Sequence, residues 1–256
     1  MKIIKNKKFP KVAIILPNFN SEKTIEATLK SIIQQSYKNW QLIIVDDNSN
    51  SDTKKVLSRF KKIKKIKIFY LKKNMGAGHC RNFAIKKSNP DLYAFIDSDD
   101  LWEKNKLKIQ INFMNKNNYN FTYTHYNTFT VKNKKLKSVL TPKNFCFDSF
   151  IKNTSIATST MIINKNLIRN TKFLNTKICE DYFFKCQILK KIDYAFCCPY
   201  FLTKYQIRKD SLQNNRLRNL FWMWKINKNF NHFGFLKNLI SLLFISFFSL
   251  KKYGFR

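Results

Sequence analysis

Three carboxylates within four residues, Asp97, Asp99 and Asp100, follow directly on the apolar run Tyr93-Ala-Phe-Ile and precede Trp102. Acidic side chains this close repel one another, and a bound cation is the usual relief. Hard oxygen donors at the end of a buried strand suit Mg²⁺ or Mn²⁺, ions that commonly share one or two protein carboxylates with the phosphates of a nucleotide. The competing reading is a solvated Asp-rich turn that caps the next helix. A second acidic pair, Glu180-Asp181, opens an apolar run of helical character. It suits either proton transfer or a simple match to the positive end of a helix dipole. Asp46-Asp47 ends another apolar run, and Gly76 and Gly78 stand just before Arg81. Those glycines read either as a helix start that phosphate can approach or as a flexible turn.

The elements that must position these residues alternate along the first hundred residues. Lys11 to Pro17 is a short, almost continuous apolar run and reads as a central parallel strand. Ser21 is placed to cap a helix in which Ile25, Leu29, Ile32 and Ile33 recur, a pattern that fades near Ser36-Tyr37. Gln41 to Asp47 is a second buried strand, and Asn48 to Asp52 supplies turn and cap residues before a basic helix. A third strand, Ile66 to Leu71, leads to a helix opening within Asn74 to Asn82, and the next strand ends at Asp97. Four strands alternating with three helices imply an α/β fold: a mostly parallel sheet, helices on both faces, right-handed crossovers. Ligands collect at the carboxyl ends of such strands. Pro17-Asn-Phe19-Asn20, Asp46-Asp47 and Asp97 to Asp100 all fall there.

Four ordered blocks resemble the signature of the family 2 glycosyltransferases. They are Val12-Ala-Ile-Ile-Leu-Pro17-Asn-Phe19-Asn20, Ile43-Ile-Val-Asp46-Asp47-Asn-Ser49, Asn74-x-Gly76-x-x-x-x-Arg81-Asn82, and Phe95-Ile-Asp97-Ser-Asp99-Asp100-x-Trp102. The resemblance covers roughly residues 10 to 212, and within the family it points to enzymes of bacterial surface polysaccharides, of teichuronic acid or O-antigen type. It implies a GT-A fold and an inverting, metal-dependent enzyme that uses a nucleotide-diphosphate sugar, most simply a UDP-sugar, and a saccharide or lipid-linked acceptor. On that basis Pro17, Phe19, Asn20 and Asp46 or Asp47 line the nucleoside pocket, where a carboxylate can accept the imide hydrogen of uracil. Asp97 faces ribose or metal, Asp99 ligates Mg²⁺ or Mn²⁺, and Asp100 takes part directly or from behind. Gly76 and Arg81 approach the diphosphate. Trp102 and Glu180 face the acceptor, and Asp181 is the catalytic base. Tyr205-Gln-Ile-Arg208-Lys-Asp-Ser211 resembles a family block that often reads Tyr-Arg-x-His-x-x-Ser. Arg208, expected at the diphosphate, is permanently cationic and cannot titrate as the histidine can.

Composition is that of one globular enzyme with appendages: a basic arm over 1–10, a GT-A domain over 11–212 with a nucleotide-sugar half (11–102) and an acceptor half (103–212), and a helical segment over 213–256. The six cysteines form no CxxC pair, and no secretory signal pattern is seen, which favours reduced thiols in cytoplasm. His79, His125 and His232 share no ligand spacing with them. A formal charge of +34 attracts anionic polymers or surfaces. No nucleic-acid motif accompanies it, and the lysines spread along the whole chain. The alternative function is an inactive basic protein of this fold that holds nucleic acid or anionic membrane. From Leu239 to Leu250 no charge interrupts the tail, about 18 Å of helix against a hydrocarbon core of about 30 Å. Lys237, Lys251 and Lys252 flank it. An in-plane tether on the inner face of the cell membrane is therefore expected, one whose loss leaves nucleotide binding intact.

Overall fold

A computed structural model describes residues 9–130, 134–176, 178–207 and 215–253. Met1 to Lys8 of the basic arm, Arg208 and the rest of its block to Ser211 lie outside the described residues. The first half runs β1 (Val12–Asn18), α1 (Ile25–Ile33), β2 (Trp40–Asp46), α2 (Ser51–Ser58), β3 (Ile66–Tyr70), α3 (Ala77–Lys86) and β4 (Leu92–Phe95). It continues with β5 (Leu101–Trp102), α4 (Lys106–Asn117), β6 (Phe121–Phe129), β7 (Lys135–Val139), β8 (Asn144–Phe145) and α5 (Phe147–Phe150). A 3₁₀ turn, Thr158–Thr160, precedes β9 (Ile162–Asn164) and α6 (Lys165–Ile168). The chain then forms α7 (Glu180–Leu189), β10 (Ala195–Gln206), α8 (Arg216–Asn229) and α9 (Phe235–Tyr253).

The β1 and β2 runs are buried on both faces, which is why they lack polar alternation. Their pleat sorts the side chains into two cores. Ala13, Ile15, Ile43, Val45 and Phe95 point to one side, under α3 and α7; Val12, Ile14, Leu16, Leu42 and Ile44 point to the other, under α1, α2 and α4. The sheet order is β3-β2-β1-β4-β9-β6-β10-β5, with β7 on β6 and β8 on β10. The first four strands are mutually parallel, β9 is antiparallel to both its neighbours, and β6 and β10 are parallel. The chain moves outward from β1 to β3, then returns through α3 to the other flank of β1. The strand order thus reverses between β1 and β4, the place where α/β sheets open a crevice at the carboxyl ends.

Two local expectations are refined. Asn50 caps α2, its Oδ1 accepting from the Thr53 amide at 2.8 Å. Ser21 does not cap α1. That helix starts at Ile25, because the Ser21 hydroxyl turns to Asn18 while its carbonyl accepts the Thr24 and Ile25 amides at 2.9 Å each. The cysteines are free thiols.

Candidate active site

At the carboxyl end of β1, Pro17 and Asn18 are buried while Phe19 is exposed, and Asn20 adopts the left-handed conformation that Asn tolerates (φ 43°). Its side chain accepts from the Asn50 amide at 2.9 Å, and its own amide donates to Ser49 Oγ at 3.0 Å. The loops after β1 and β2 are thus laced together. Asp46 sits beneath them without exposed surface, accepting from Asn18 Nδ2 at 2.7 Å, Ser49 Oγ at 2.5 Å and the Ser49 amide at 3.1 Å. Asp46 therefore braces the pocket wall from behind instead of reaching a base. Asp47 carries the next loop: its two oxygens accept the Met75 and Gly76 amides, each at 2.7 Å. Gly76 needs its freedom, with φ of +89° immediately before α3. Gly78 is a packing glycine, since a Cβ there would lie 2.2 Å from the Leu174 carbonyl oxygen and 3.2 Å from Glu180 Cβ.

Arg81, buried on α3, joins the two acidic motifs. One guanidinium nitrogen donates to Asp97 Oδ1 at 2.7 Å and another to Glu180 Oε1 at 2.6 Å, across 99 residues of sequence. The guanidinium centre lies 5.2 Å from the centroid of the Phe173 ring. Burial alone would lower its pKa; Asp97, Glu180 and Asp181 overcome that and hold it above its ordinary value. Two of its nitrogens are held by carboxylates while its Nε has no hydrogen-bond partner among the described residues, and in this arrangement Arg81 acts as a clamp between the two motifs. Glu180 likewise faces Arg81, and its carboxyl is raised by burial against the opposing pull of that arginine. Trp102 is also corrected. It is buried under the acidic turn, its indole N–H donating to the Ser159 carbonyl at 2.8 Å with Lys106 Nζ 4.4 Å from the ring centroid. Aromatic bulk after an acidic strand end served the core here.

Within the acidic turn the three carboxylates differ. Asp100 is buried and committed inward, accepting from Ser159 Oγ at 2.5 Å and the Gln206 amide at 2.8 Å. Burial, then Asp99 and Asp97, drive its pKa well above the usual carboxylate range. Asp97 gives only Oδ1 to Arg81 and is part-exposed, as is Asp99. Among the described residues no group of three His, Cys, Asp or Glu could hold an ion by itself. The donor set of Asp97 and Asp99, crowded by like charge, still fits a hard cation completed by phosphate oxygens.

Asp181 lies in the first turn of α7 with 27 % of its side chain exposed. Lys185 Nζ donates to its Oδ2 at 2.6 Å and Thr158 Oγ1 to the same oxygen at 2.7 Å. Oδ1 accepts no hydrogen bond from a described residue. Burial would raise this carboxyl, but the Lys185 ammonium, Arg81 and the Thr158 hydroxyl hold it well below the usual range. The neighbouring Ser159 accepts from the Asp97 amide at 3.1 Å as well as donating to Asp100. One 3₁₀ turn therefore touches both motifs. Lys185 was legible as the i+4 neighbour of Asp181 on a helix; Thr158 and Ser159 sit in a stretch with no distinctive spacing and were not.

Comparison with known proteins agrees with this architecture. The model of the family described as "Glycosyl transferase family 2" matches residues 13–201. The glucosyltransferase WfgD of Escherichia coli, named as UDP-Glc:alpha-D-GlcNAc-diphosphoundecaprenol beta-1,3-glucosyltransferase, is 32% identical over 86% of this chain and 86% of its own. WfaP of the same species, with the same activity in its name, is 33% identical over 82% of each chain. The structure of S. aureus TarS 1-349 in complex with UDP-GlcNAc superposes with a TM-score of 0.72 at 19% identity, covering 96% of this chain and 73% of that one. A Pyrobaculum calidifontis mannosyltransferase in complex with GDP-Man and Mn²⁺ gives 0.67 at 16% identity, over 91% and 70%. At these identities the two structures share the fold.

Proposed function

The chain belongs to glycosyl transferase family 2, and on that premise we propose that it moves a sugar from a UDP-sugar to a saccharide or lipid-linked acceptor in cell-surface polysaccharide synthesis, inverting the anomeric centre. The observation that carries this reading is the Arg81 clamp, which brings the acidic turn after β4 and the Glu180-Asp181 pair of α7 to one place. Donor and base chemistry need that juxtaposition.

In the proposed reaction Asp181 Oδ1 takes the proton of the acceptor hydroxyl. The acceptor oxygen forms its bond to the anomeric carbon as the bond to the diphosphate oxygen breaks, and UDP departs with that electron pair. Lys185 and Thr158 keep Oδ2 occupied, so one oxygen of the base is fixed and the other is offered. A low pKa makes Asp181 a weak base in the resting protein, but guarantees that it is ionised. Asp99 and the second oxygen of Asp97 would hold Mg²⁺ or Mn²⁺, which when bound neutralises charge on the leaving diphosphate. Phe19, exposed over the crevice, supplies a ring for the base, with the Pro17 to Asn20 loop around it and Asp47 fixing the Met75-Gly76 turn at its side. Asp46, Asp100, Arg81 and Trp102 position these groups from beneath, and Glu180 lies at the acceptor edge. Catalysis belongs on the inner face of the membrane, where nucleotide sugars and lipid-linked saccharides meet.

The test is calorimetric titration of UDP with and without Mn²⁺ in the wild type and in Asp99→Asn, followed by a nucleotide-sugar screen with product analysis. Metal-assisted UDP affinity falls at least about tenfold in the variant, about 1.4 kcal/mol. Equal metal-assisted affinity in both proteins would remove Asp99 from the metal.

A further inference from the structure

The helix pair at the carboxyl terminus is built with its polarity reversed. In α9 the polar residues Asn238 and Ser241 are each 1 % exposed, whereas Leu236, Leu243 and Phe247 keep 68 %, 62 % and 59 % of their surface. Together with Ile240 these three fall at i, i+4, i+7 and i+11, a single stripe on the side opposite the polar pair. The polar row is held inward. Asn227 Nδ2 donates to Asn238 Oδ1 at 3.1 Å, Asn238 Nδ2 to the Trp224 carbonyl at 3.1 Å, and Ser241 Oγ to the Ile151 carbonyl at 2.6 Å. Rotating α9 to hide its leucines would strand these buried groups, each at a cost of about 1–3 kcal/mol. The stripe is therefore displayed by construction. Single exposed apolar side chains need no explanation, but a contiguous stripe marks a surface made for another phase or partner.

Charge selects the occupant. The exposed Lys237 stands in the first turn of α9 and the exposed Lys251 in the last, Lys152 reaches over the Phe244 ring with its ammonium 5.7 Å from the centroid, and Lys252 is turned toward the body. A second copy of a chain carrying +34 would bring like charge to this face, whereas an anionic bilayer brings the opposite. Among the described residues no helix is long and apolar enough to cross a membrane. We infer that α9 is a membrane seat that lies in the plane of an anionic bilayer, its outward stripe in the interface and Lys237, Lys251 and Lys152 at the headgroups.

The seat is braced to the catalytic helix. Tyr182, the neighbour of Asp181 on α7, donates its hydroxyl at 2.8 Å to Asn227 Oδ1, the residue that anchors the polar row. From α9, Asn238 Oδ1 and Ser241 Oγ accept from Asn227 Nδ2 at 3.1 and 3.4 Å, so one hydrogen-bonded row runs from the seat through α8 to the helix that carries Asp181. The inference builds on the proposed lipid-linked acceptor, whose headgroup such a seat holds within reach, but its test does not depend on turnover.

Full-length protein is floated with phosphatidylcholine vesicles with and without phosphatidylglycerol, beside the double variant Leu243→Gln/Phe247→Gln. Wild type rises with the anionic vesicles and only weakly with neutral ones; the variant loses at least about tenfold of its anionic-vesicle recovery. Its Tm and UDP-induced thermal shift stay at wild-type values, because both residues point away from the body. Equal flotation of the two proteins, or no flotation of the wild type, overturns the inference. So does sedimentation showing a wild-type dimer that the variant dissociates, which would give the stripe to a second copy. Failure of the wild type to bind UDP strikes the donor reading alone and leaves the seat standing.

Discussion

Replacing Lys106 with Met should flatten the pH dependence of stability between pH 7 and 9. Lys106 is fully buried on α4, with its ammonium over Trp102 and bonded to Gln110 Oε1 at 2.8 Å. Burial depresses its pKa from 10.5 to about 7. The folded protein therefore binds this proton less tightly than the unfolded chain, and stability rises with pH across the window from about 7 to 10.5. At pH 7 the cost of keeping Lys106 buried is roughly 4 kcal/mol, and at pH 9 roughly 2 kcal/mol. Wild type should gain about 2 kcal/mol from this residue over that interval, equivalent to some 4–8 °C in Tm for a chain of this size. Methionine keeps the length and apolar stem and carries no proton. Lys106→Met should thus be the more stable protein at pH 7, after a loss of about 1 kcal/mol for the Gln110 hydrogen bond, and the two Tm curves should converge toward pH 9. Thermal unfolding by circular dichroism at pH 7, 8 and 9 measures the difference directly. Parallel curves for the two proteins would show that Lys106 is not carried as a neutral amine, and the burial argument would fail.

Asp181→Asn keeps the shape of the base and removes its proton affinity, so turnover with an identified donor and acceptor should drop about 10²-fold while UDP affinity stays within about twofold; near wild-type turnover would mean that another group is the base. Thr158→Val should lower kcat roughly tenfold at unchanged UDP affinity, with Thr158→Ser restoring it, because the hydroxyl that shares Asp181 Oδ2 with Lys185 is lost in valine and kept in serine; equal kcat in the valine and serine variants would reduce Thr158 to packing. Gly78→Ala forces a methyl group to within 2.2 Å of the Leu174 carbonyl oxygen, and should cost about 1–3 kcal/mol. Differential scanning calorimetry showing an unchanged Tm would contradict that close approach.

Much of the nucleotide-binding half was legible because its signals are local. Period and length of the apolar runs marked β1 to β4, Asn50 capped α2, and the family blocks placed chemistry at strand ends. The second half was less legible. Its strands pair out of sequence order, β9 with β4 and β6, β10 with β5 and β8, and register between distant segments leaves little local trace.

The sequence by itself determined which residue types are available at the crevice: a turn with three carboxylates, an acidic pair opening a helix, a basic chain and an apolar tail. Residue type and spacing suffice for that, because strand alternation and helix period are properties of a few consecutive residues. Only the tertiary structure decided how each group is used. Desolvation and partner geometry depend on what packs around a side chain, so Asp97, Asp99 and Asp100 look alike in sequence and part ways in the fold, the last turned inward to Ser159 and Gln206. Arg81 became a clamp because Glu180, 99 residues away, arrives beside it. The tail became a displayed apolar stripe because Asn238 and Ser241 found hydrogen-bond partners inside the body, and those partners come from Trp224, Asn227 and Ile151, segments whose proximity no local pattern encodes.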